Sequence, residues 1–229
     1  MVWQLVLLLA GLLLLIGGAE ILVRGASGIA AALGISPLVI GLTVVAFGTS
    51  SPEIAVTVQA AFAGQSDLAI GNVVGSNIFN LLVILGLSAL ITPLVISRQV
   101  VRIDLPLMIA ASVLVLPLAW NGVIGRVEGA VLLLLLLGYI VLLLRLGRSE
   151  PDAQLEGEAK PRSPLAWLIN VAFIIGGLGL LVFGSRLLVD SALAIARSIG
   201  ISELIVGLTI VAAGTSLPEV ATSVIAALR

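Results

Sequence analysis

Two carboxylates stand where the surrounding sequence gives them no ordinary reason to be. Glu53 lies in VAFGTSSPEI (45–54) and Glu219 in VAAGTSLPEV (211–220), each inside a long apolar run with no Lys or Arg close by in sequence. A carboxylate at membrane depth is expensive and marks an ion path or a proton relay. If the two meet, their like charges require either protons or a cation between them.

The neighbouring residues favour the cation. Pro52 and Pro218 remove the N–H that would bond to the carbonyls of Gly48 and Gly214, and each ring presses on that same carbonyl, so both helices are predicted to kink or break. The carbonyls of Ala46, Gly48 and Thr49, and of Ala212, Gly214 and Thr215, are then expected to be free to face an ion. The hydroxyls of Thr49, Ser50, Thr215 and Ser216 fall within one turn of a Glu. Irregular backbone is tolerated at this depth only where it lines a cavity or is buried in protein. In GNVVGSNIFN (71–80), Asn72, Ser76 and Asn80 recur every four residues on one helical face, and Gly71 with Gly75 forms a small-residue stripe that admits a close neighbour. Asn72 and Asn77 read equally well as plain interhelical hydrogen-bonders. Carboxylate, amide, hydroxyl and backbone oxygens without nitrogen or sulfur suit hard cations such as calcium and sodium.

The elements that must hold these residues are membrane helices. The chain of 229 residues is 60% hydrophobic and 10% charged with mean hydropathy +1.30, outside the range of soluble domains. Its net charge of -1, without a basic patch, excludes nucleic-acid binding. With no Cys and no His, disulfides, thiolate centres and imidazole bases are excluded, and no cofactor is expected. The run from Leu5 to Ile16 has no basic residue before it and no cleavage site after it, so it reads as a first transmembrane helix rather than a signal peptide.

Apolar runs of about 20 residues, the length a bilayer needs, fall at 3–23, 37–62, 68–91, 104–120, 124–146, 165–189 and 203–228, predicting seven spans. The polar stretch Gly147 to Pro164 reads as a flexible connector. Eight Lys and Arg residues fall on its side of the membrane against three on the other, which predicts a multi-pass plasma-membrane protein with its N-terminus outside and this linker in the cytoplasm. Trp3, Trp120 and Trp167 read as interfacial anchors. Glu20 and Arg24 read as a local ion pair, Asp104 beside Arg102 as a boundary charge, and Asp190 and Glu203 as a solvated outer face.

Residues 34–58 align without a gap on residues 200–224 with 16 of 25 positions identical at an offset of 166, and upstream Gly18 matches Gly184 and Leu22 matches Leu188. The offset corresponds to five predicted helices. An odd number of crossings makes the copies run in opposite directions, the inverted-repeat plan of secondary transporters with substrate near the midplane. The organisation expected is a first five-helix repeat over 1–146, a linker over 147–164, and the first two helices of the inverted repeat over 165–229.

GTSSPE with GNVVGSNIFN, followed by GTSLPE in the second half, resembles the alpha repeats of the cation/calcium exchanger superfamily, most closely the prokaryotic sodium/calcium antiporters. The similarity covers essentially the whole chain. It implies an all-α polytopic membrane protein with inverted five-helix repeats, exchanging sodium for calcium by alternating access, with these ions and the lipid bilayer as its partners. It further implies that Glu53 and Glu219 ligate calcium together with the carbonyls of Thr49 and Thr215. The carbonyls of Ala46 and Ala212, and Ser50, Ser76, Thr215 and Ser216, are implied at sodium sites, and Asn80 in the central site. Counterparts of Ser76 and Asn80 would fall near 242 and 246, beyond Arg229, so the second repeat is expected to be truncated at about seven helices in all, and the sequence to be part of a longer one. A proton/calcium exchanger and a cation channel are the competing readings. An intramembrane enzyme is set aside for want of an activated nucleophile or a nitrogen metal ligand.

Overall fold

The computed structural model describes residues 2–34, 40–96, 98–147 and 163–228, and its regular elements there are helical throughout. The predicted connector lies, from 148 to 162, outside the described residues, as do positions 35–39, which include the first three residues of the second predicted span. The chain divides into two compact units, Met1–Thr92 with Glu156–Arg229, and Pro93–Leu155.

The first unit is organised by two long helices, α1 (Val2–Ala32) and α8 (Pro164–Ile199). Both outrun their predicted spans, which ended near 23 and 189. Hydropathy marks how much of a helix lies in hydrocarbon, whereas residues 24–32 and 190–199 contain no proline and continue the helix. At about 1.5 Å per residue α1 is ~46 Å long, against a hydrocarbon core of ~30 Å. Chain signals set the limits of α8: the Ser163 side chain accepts from the Ala166 N–H at 3.1 Å, Pro164 occupies the first turn, and Gly200 ends it at φ +74.

Apolar burial drives little association inside a bilayer, so the two helices must gain by close van der Waals contact. Glycines make this possible. A Cβ on Gly11 would stand 2.9 Å from the Gly184 carbonyl, one on Gly18 2.9 Å from the Gly177 carbonyl, and one on Gly25 2.6 Å from the Asn170 carbonyl. In each pair the residue numbers add to 195, so the helices run antiparallel with glycines every seven residues. Shifting the pair Gly11–Gly184 by the sequence offset of 166 returns Gly177–Gly18, the self-complementarity of an isologous contact. Leu8, Leu12, Leu15 and Leu22 of α1 are buried, as are Leu181, Leu188 and Val189 of α8.

Shorter helices complete this unit. A π-helical turn (Gly41–Val45) leads into α2 (Ala46–Thr49) and, after a break at Ser50, into α3 (Ser51–Phe62). The long segment α4 (Ser66–Phe79) passes through a second π turn (Asn80–Ile84) into α5 (Leu85–Ile91). After α9 (Glu203–Val206), a π turn (Gly207–Val211) leads into α10 (Ala212–Thr215), with a break at Ser216 before α11 (Leu217–Ala227). The breaks fall where the prolines predict them, and Pro52 and Pro218 sit in the first turn of α3 and α11, where their missing N–H costs nothing. The segments Glu203–Thr215 and Leu217–Val224 meet at 45°.

The second unit contains a π turn (Val100–Asp104), α6 (Leu105–Leu118) and α7 (Arg126–Gly147). Val113, Leu116, Leu133, Leu134 and Leu137 are all exposed, a surface suited to hydrocarbon. Asp104 is more than a boundary charge, because it accepts a hydrogen bond from the Tyr139 hydroxyl at 3.3 Å. The Glu20–Arg24 pair forms at 2.8 Å on an exposed face. Glu203 differs from the expected solvated face: Arg197 approaches it to 4.0 Å and the Gln65 amide, turned nitrogen-first, donates to it.

The α1–α8 contact yields a paired prediction from adjacent residues. Gly17 has open space around it and Gly18 does not. Gly18→Ala is expected to destabilise by about 1–3 kcal/mol, the usual cost of overpacking. Gly17→Ala is expected to be neutral or slightly stabilising, since Ala favours a helix by up to about 1 kcal/mol over Gly. Thermal unfolding in detergent measures both, and equal effects would refute the glycine-mediated contact.

Candidate functional site

Glu53 enters the first turn of α3 directly after the Ser50 break, and Glu219 enters the first turn of α11 directly after the Ser216 break. Each carboxylate therefore stands at the N-terminus of a half-helix, beside the backbone irregularity that its proline enforces. Across the two motif copies the link is direct: Ser216 Oγ donates to Glu53 Oε1 at 3.0 Å. Ser216 is fully buried.

The remaining oxygens are short of partners. Glu53 Oε2, both carboxylate oxygens of Glu219, Ser76 Oγ and Asn80 Oδ1 are buried without a hydrogen-bond partner among the described residues. All five belong to residues singled out from the sequence as cation ligands. Buried polar atoms are normally satisfied, and oxygens left bare in this way suit a hard cation; Gln4 Oε1 of α1 and Ser191 Oγ of α8 share that state outside the motifs. A groove of about 190 Å³ lined by Glu53, Ile54, Thr57, Val58 and Val73 runs between α3 and α4, and its wall is almost wholly apolar. Among the described residues no group of three or more His, Cys, Asp and Glu comes together as a metal cluster, so the donor set rests on two carboxylates with amide and hydroxyl oxygens.

The helix carrying Asn72, Ser76 and Asn80 meets the second motif copy at backbone range. A Cβ on Gly71 would stand 2.7 Å from the Leu204 carbonyl, and one on Gly75 2.5 Å from the Leu208 carbonyl. The predicted small-residue stripe thus admits the π turn before α10. That turn carries a bond of i+5 type from the Ala212 N–H to the Gly207 carbonyl, and another of the same type runs from the Leu85 N–H to the Asn80 carbonyl. π turns of this kind gather at functional sites. They occupy equivalent positions in the two motif copies, at 41–45 and 207–211, and neither was visible in the hydropathy pattern.

Two expectations need correction. The carbonyls of Ala46 and Ala212 are not free. Ala46 accepts from the Ser50 N–H at 3.4 Å and from Thr49 Oγ1 at 3.1 Å, and Ala212 accepts from the Ser216 N–H at 3.1 Å and from Thr215 Oγ1 at 3.2 Å. The helix stays closed up to the serine, and threonine back-bonding covers the carbonyl one turn earlier. Asn77 does not bridge helices either, since its amide bonds to the Val73 carbonyl of its own helix at 2.8 Å. Ser50, the equivalent of Ser216, is exposed.

Asn72 does bridge helices. Wholly buried, it donates to the Glu53 carbonyl at 3.2 Å and to Thr57 Oγ1 at 2.9 Å, and it accepts from Thr215 Oγ1 at 3.3 Å. Thr57 escaped the sequence reading, although its place one turn after Glu53 on the same face was a usable signal.

The family model described as sodium/calcium exchanger protein matches residues 3–145 and 169–229. A putative antiporter, CaxA, of Alkalimonas amylolytica is 40% identical over 229 residues, covering 98% of this chain and 71% of the relative. The inner membrane protein YrbG of Escherichia coli is 41% identical over 226 residues, covering 95% and 69% respectively. The solved structure of the sodium/calcium exchanger from Methanococcus jannaschii aligns with TM-score 0.53 at 33% identity, covering 99% of this chain and 72% of that one. The same exchanger soaked with sodium and strontium aligns over 100% of this chain and 73% of its own with TM-score 0.56. With all-helical elements, broken helices bearing the paired carboxylates and a match over most of its length, the chain belongs to the sodium/calcium exchanger protein family.

Proposed function

We propose that this protein exchanges sodium for calcium across the plasma membrane by alternating access, binding the ions near the midplane between the two GTS-x-PE motifs. Glu53 and Glu219 hold the divalent ion with the carbonyls of Thr49 and Thr215. The hydroxyls of Ser50, Ser76, Thr215 and Ser216 hold sodium, and Asn80 lines the centre. In this reading the chain comprises a first repeat over 1–146, a cytoplasmic linker over 147–164, and an inverted second repeat from 165, with its N-terminus outside.

The observation that supports the reading is the set of partnerless buried oxygens, drawn from both motif copies, from α4 and from the π turn that follows it, and including both carboxylates. Removing these groups from water without a partner costs several kcal/mol per charge, which a bound cation offsets. One calcium or several sodium ions neutralise the same pair, and competition for one site is what couples two gradients. The match to the exchanger family supports the same conclusion.

In proteoliposomes, an outward sodium gradient is expected to drive uptake of radioactive calcium, and Glu53→Gln is expected to lower it on the order of 100-fold or more, the equivalent of the ~3–5 kcal/mol lost when one member of a buried charge pair is removed. Uptake that follows a proton gradient and ignores sodium would replace this reading with the proton-coupled one, and non-saturating flux would favour a channel. Ser216→Ala removes the donor to Glu53 and is expected to raise the half-saturating calcium concentration about tenfold, as loss of a hydrogen bond to a charged group does, while leaving the detergent-solubilised protein folded. Orientation is directly testable because the chain has no cysteine. Ala153→Cys is expected to react with an impermeant maleimide only after cells are permeabilised, and labelling of intact cells would invert the topology.

A further inference from the structure

Gly48 and Gly214 open the two GTS-x-PE motifs, and neither needs glycine for its backbone. They lie within the short helices α2 and α10, and neither has a positive φ. Alanine would suit such positions better, because a helix interior disfavours glycine. What the two glycines share is a neighbour on α1. A Cβ on Gly214 would stand 2.7 Å from Cδ2 and 3.1 Å from Cδ1 of Leu12, and one on Gly48 would fall on Cγ2 of Val23, with the Val23 Cβ at 3.3 Å. Leu12, Gly48 and Gly214 are buried and Val23 is half-buried. Each glycine is therefore the hole for a branched side chain from the same helix.

Leu12 and Val23 are eleven residues apart. That is three helical turns to within about 20°, so both project from one face of α1, at levels about 16 Å apart. The support is stiff, since α1 contains no proline and is held to backbone contact with α8 by its glycines. The stretch on which these side chains press leads straight into each break: Gly48 precedes Thr49 and stands four residues before Pro52, and Gly214 precedes Thr215 and stands four before Pro218. Proline supplies no N–H to the carbonyl four residues back, so the helix itself does not tie this backbone down from its C-terminal side. Contact with α1 does.

We propose that Leu12 and Val23 are specificity-determining positioning residues: seated on Gly214 and Gly48, they fix the separation of the two motifs and with it the size of divalent cation that the paired carboxylates accept. The proposal rests on the ion site given above and adds to it two hydrocarbon side chains that cannot themselves ligate an ion. Selection between cations of equal charge depends on cavity size and on how far the ligands can give. A backbone carbonyl moves only with its backbone, so a stop behind Gly48 or Gly214 is a stop behind the Thr49 or Thr215 carbonyl that follows. Valine keeps to one strongly preferred rotamer in a helix, which makes Val23 the stiffer of the two.

The test is equilibrium binding of radioactive calcium to the purified full-length protein in detergent, displaced by strontium, an ion of the same charge and larger radius. Val23→Ala withdraws the stop at Gly48, and the half-displacing concentration of strontium relative to that of unlabelled calcium is expected to fall about fivefold, the scale of a modest packing change. Gly48→Ala in the Val23→Ala background returns a methyl group to the same space and is expected to restore the ratio to within about twofold. Gly48→Ala alone puts two groups into one space and is expected to weaken calcium binding about tenfold or more. A ratio unmoved by Val23→Ala would overturn the proposal. So would a lowered ratio that Gly48→Ala fails to restore, which is what a general loosening of the fold produces, and so would undiminished calcium binding in Gly48→Ala alone. If Val23→Ala does not elute as folded protein, Leu12→Ala with and without Gly214→Ala makes the same comparison at the other motif and is decided by the same results. Calcium binding without sodium-driven uptake in the unsubstituted protein would overturn the exchange reading and leave this proposal standing, whereas no calcium binding at all would overturn the ion site and this proposal with it.

Discussion

Glu219 holds two buried carboxylate oxygens to which no group among the described residues donates. Within hydrocarbon, a group of this kind is tolerated only if something else supplies positive charge, and the remainder of the structure can be understood as what that requirement demands of the backbone. The carboxylates must stand where a helix has been opened. The prolines open it at Ser50 and Ser216, the π turns alter its pitch one turn earlier, and Asn72 and Ser76 of α4 with Asn80 of the following π turn bring in further oxygens. Irregular backbone of this kind survives at membrane depth because it is enclosed by protein, and enclosure in turn requires helices that approach one another to backbone contact.

Glycine supplies that approach twice, in different geometries. Between α1 and α8 the contact is antiparallel with a heptad spacing, and its pairs map onto each other under the sequence offset. Between α4 and the segment before α10 it is parallel, Gly71 meeting Leu204 and Gly207 while Gly75 meets Leu208 and Ala212. The first contact involves matched positions of the two copies. The second brings unmatched parts together, a helix of one copy on the broken helix of the other, and it positions Asn72 beside Thr215. Sites formed from matched elements inherit their symmetry, whereas sites formed from unmatched elements need not.

How much of this is legible in the chain follows from the physical scale of each feature. The paired carboxylates, the proline breaks and the Gly71–Gly75 approach are fixed by residue type and spacing along one helix, so the sequence states them outright. The occupancy of the Ala46 and Ala212 carbonyls is not stated there, because it depends on whether a threonine rotamer turns back onto its own helix, a difference of about one kcal/mol or less that no pattern encodes. The π turns at Gly41–Val45 and Gly207–Val211 shift register by a single residue, below the resolution of any hydropathy window. Asn72 shows a different limit. Its place on the polar face was readable, but the direction of its amide is set by the Glu53 carbonyl and Thr57 on a neighbouring helix, contacts that exist only after folding. Tyr139 and Asp104, thirty-five residues apart, were out of reach for the same reason.

The sequence offset also shows where likeness of sequence fails to give likeness of site. Under a shift of 166, Ser216 corresponds to Ser50 and Glu53 to Glu219, so the bond from Ser216 to Glu53 has a formal counterpart from Ser50 to Glu219. The first is made and the second is not: Ser50 is exposed, and both oxygens of Glu219 lack a partner. Equal residues in unequal states cannot be explained by composition, since the two motifs share the Thr, the Ser, the Pro and the Glu. The surroundings of the two motifs differ, since the helix carrying Gly71, Asn72 and Gly75 packs against the segment before α10. A transporter of the proposed kind needs two states of similar free energy, related by exchanging the roles of its halves.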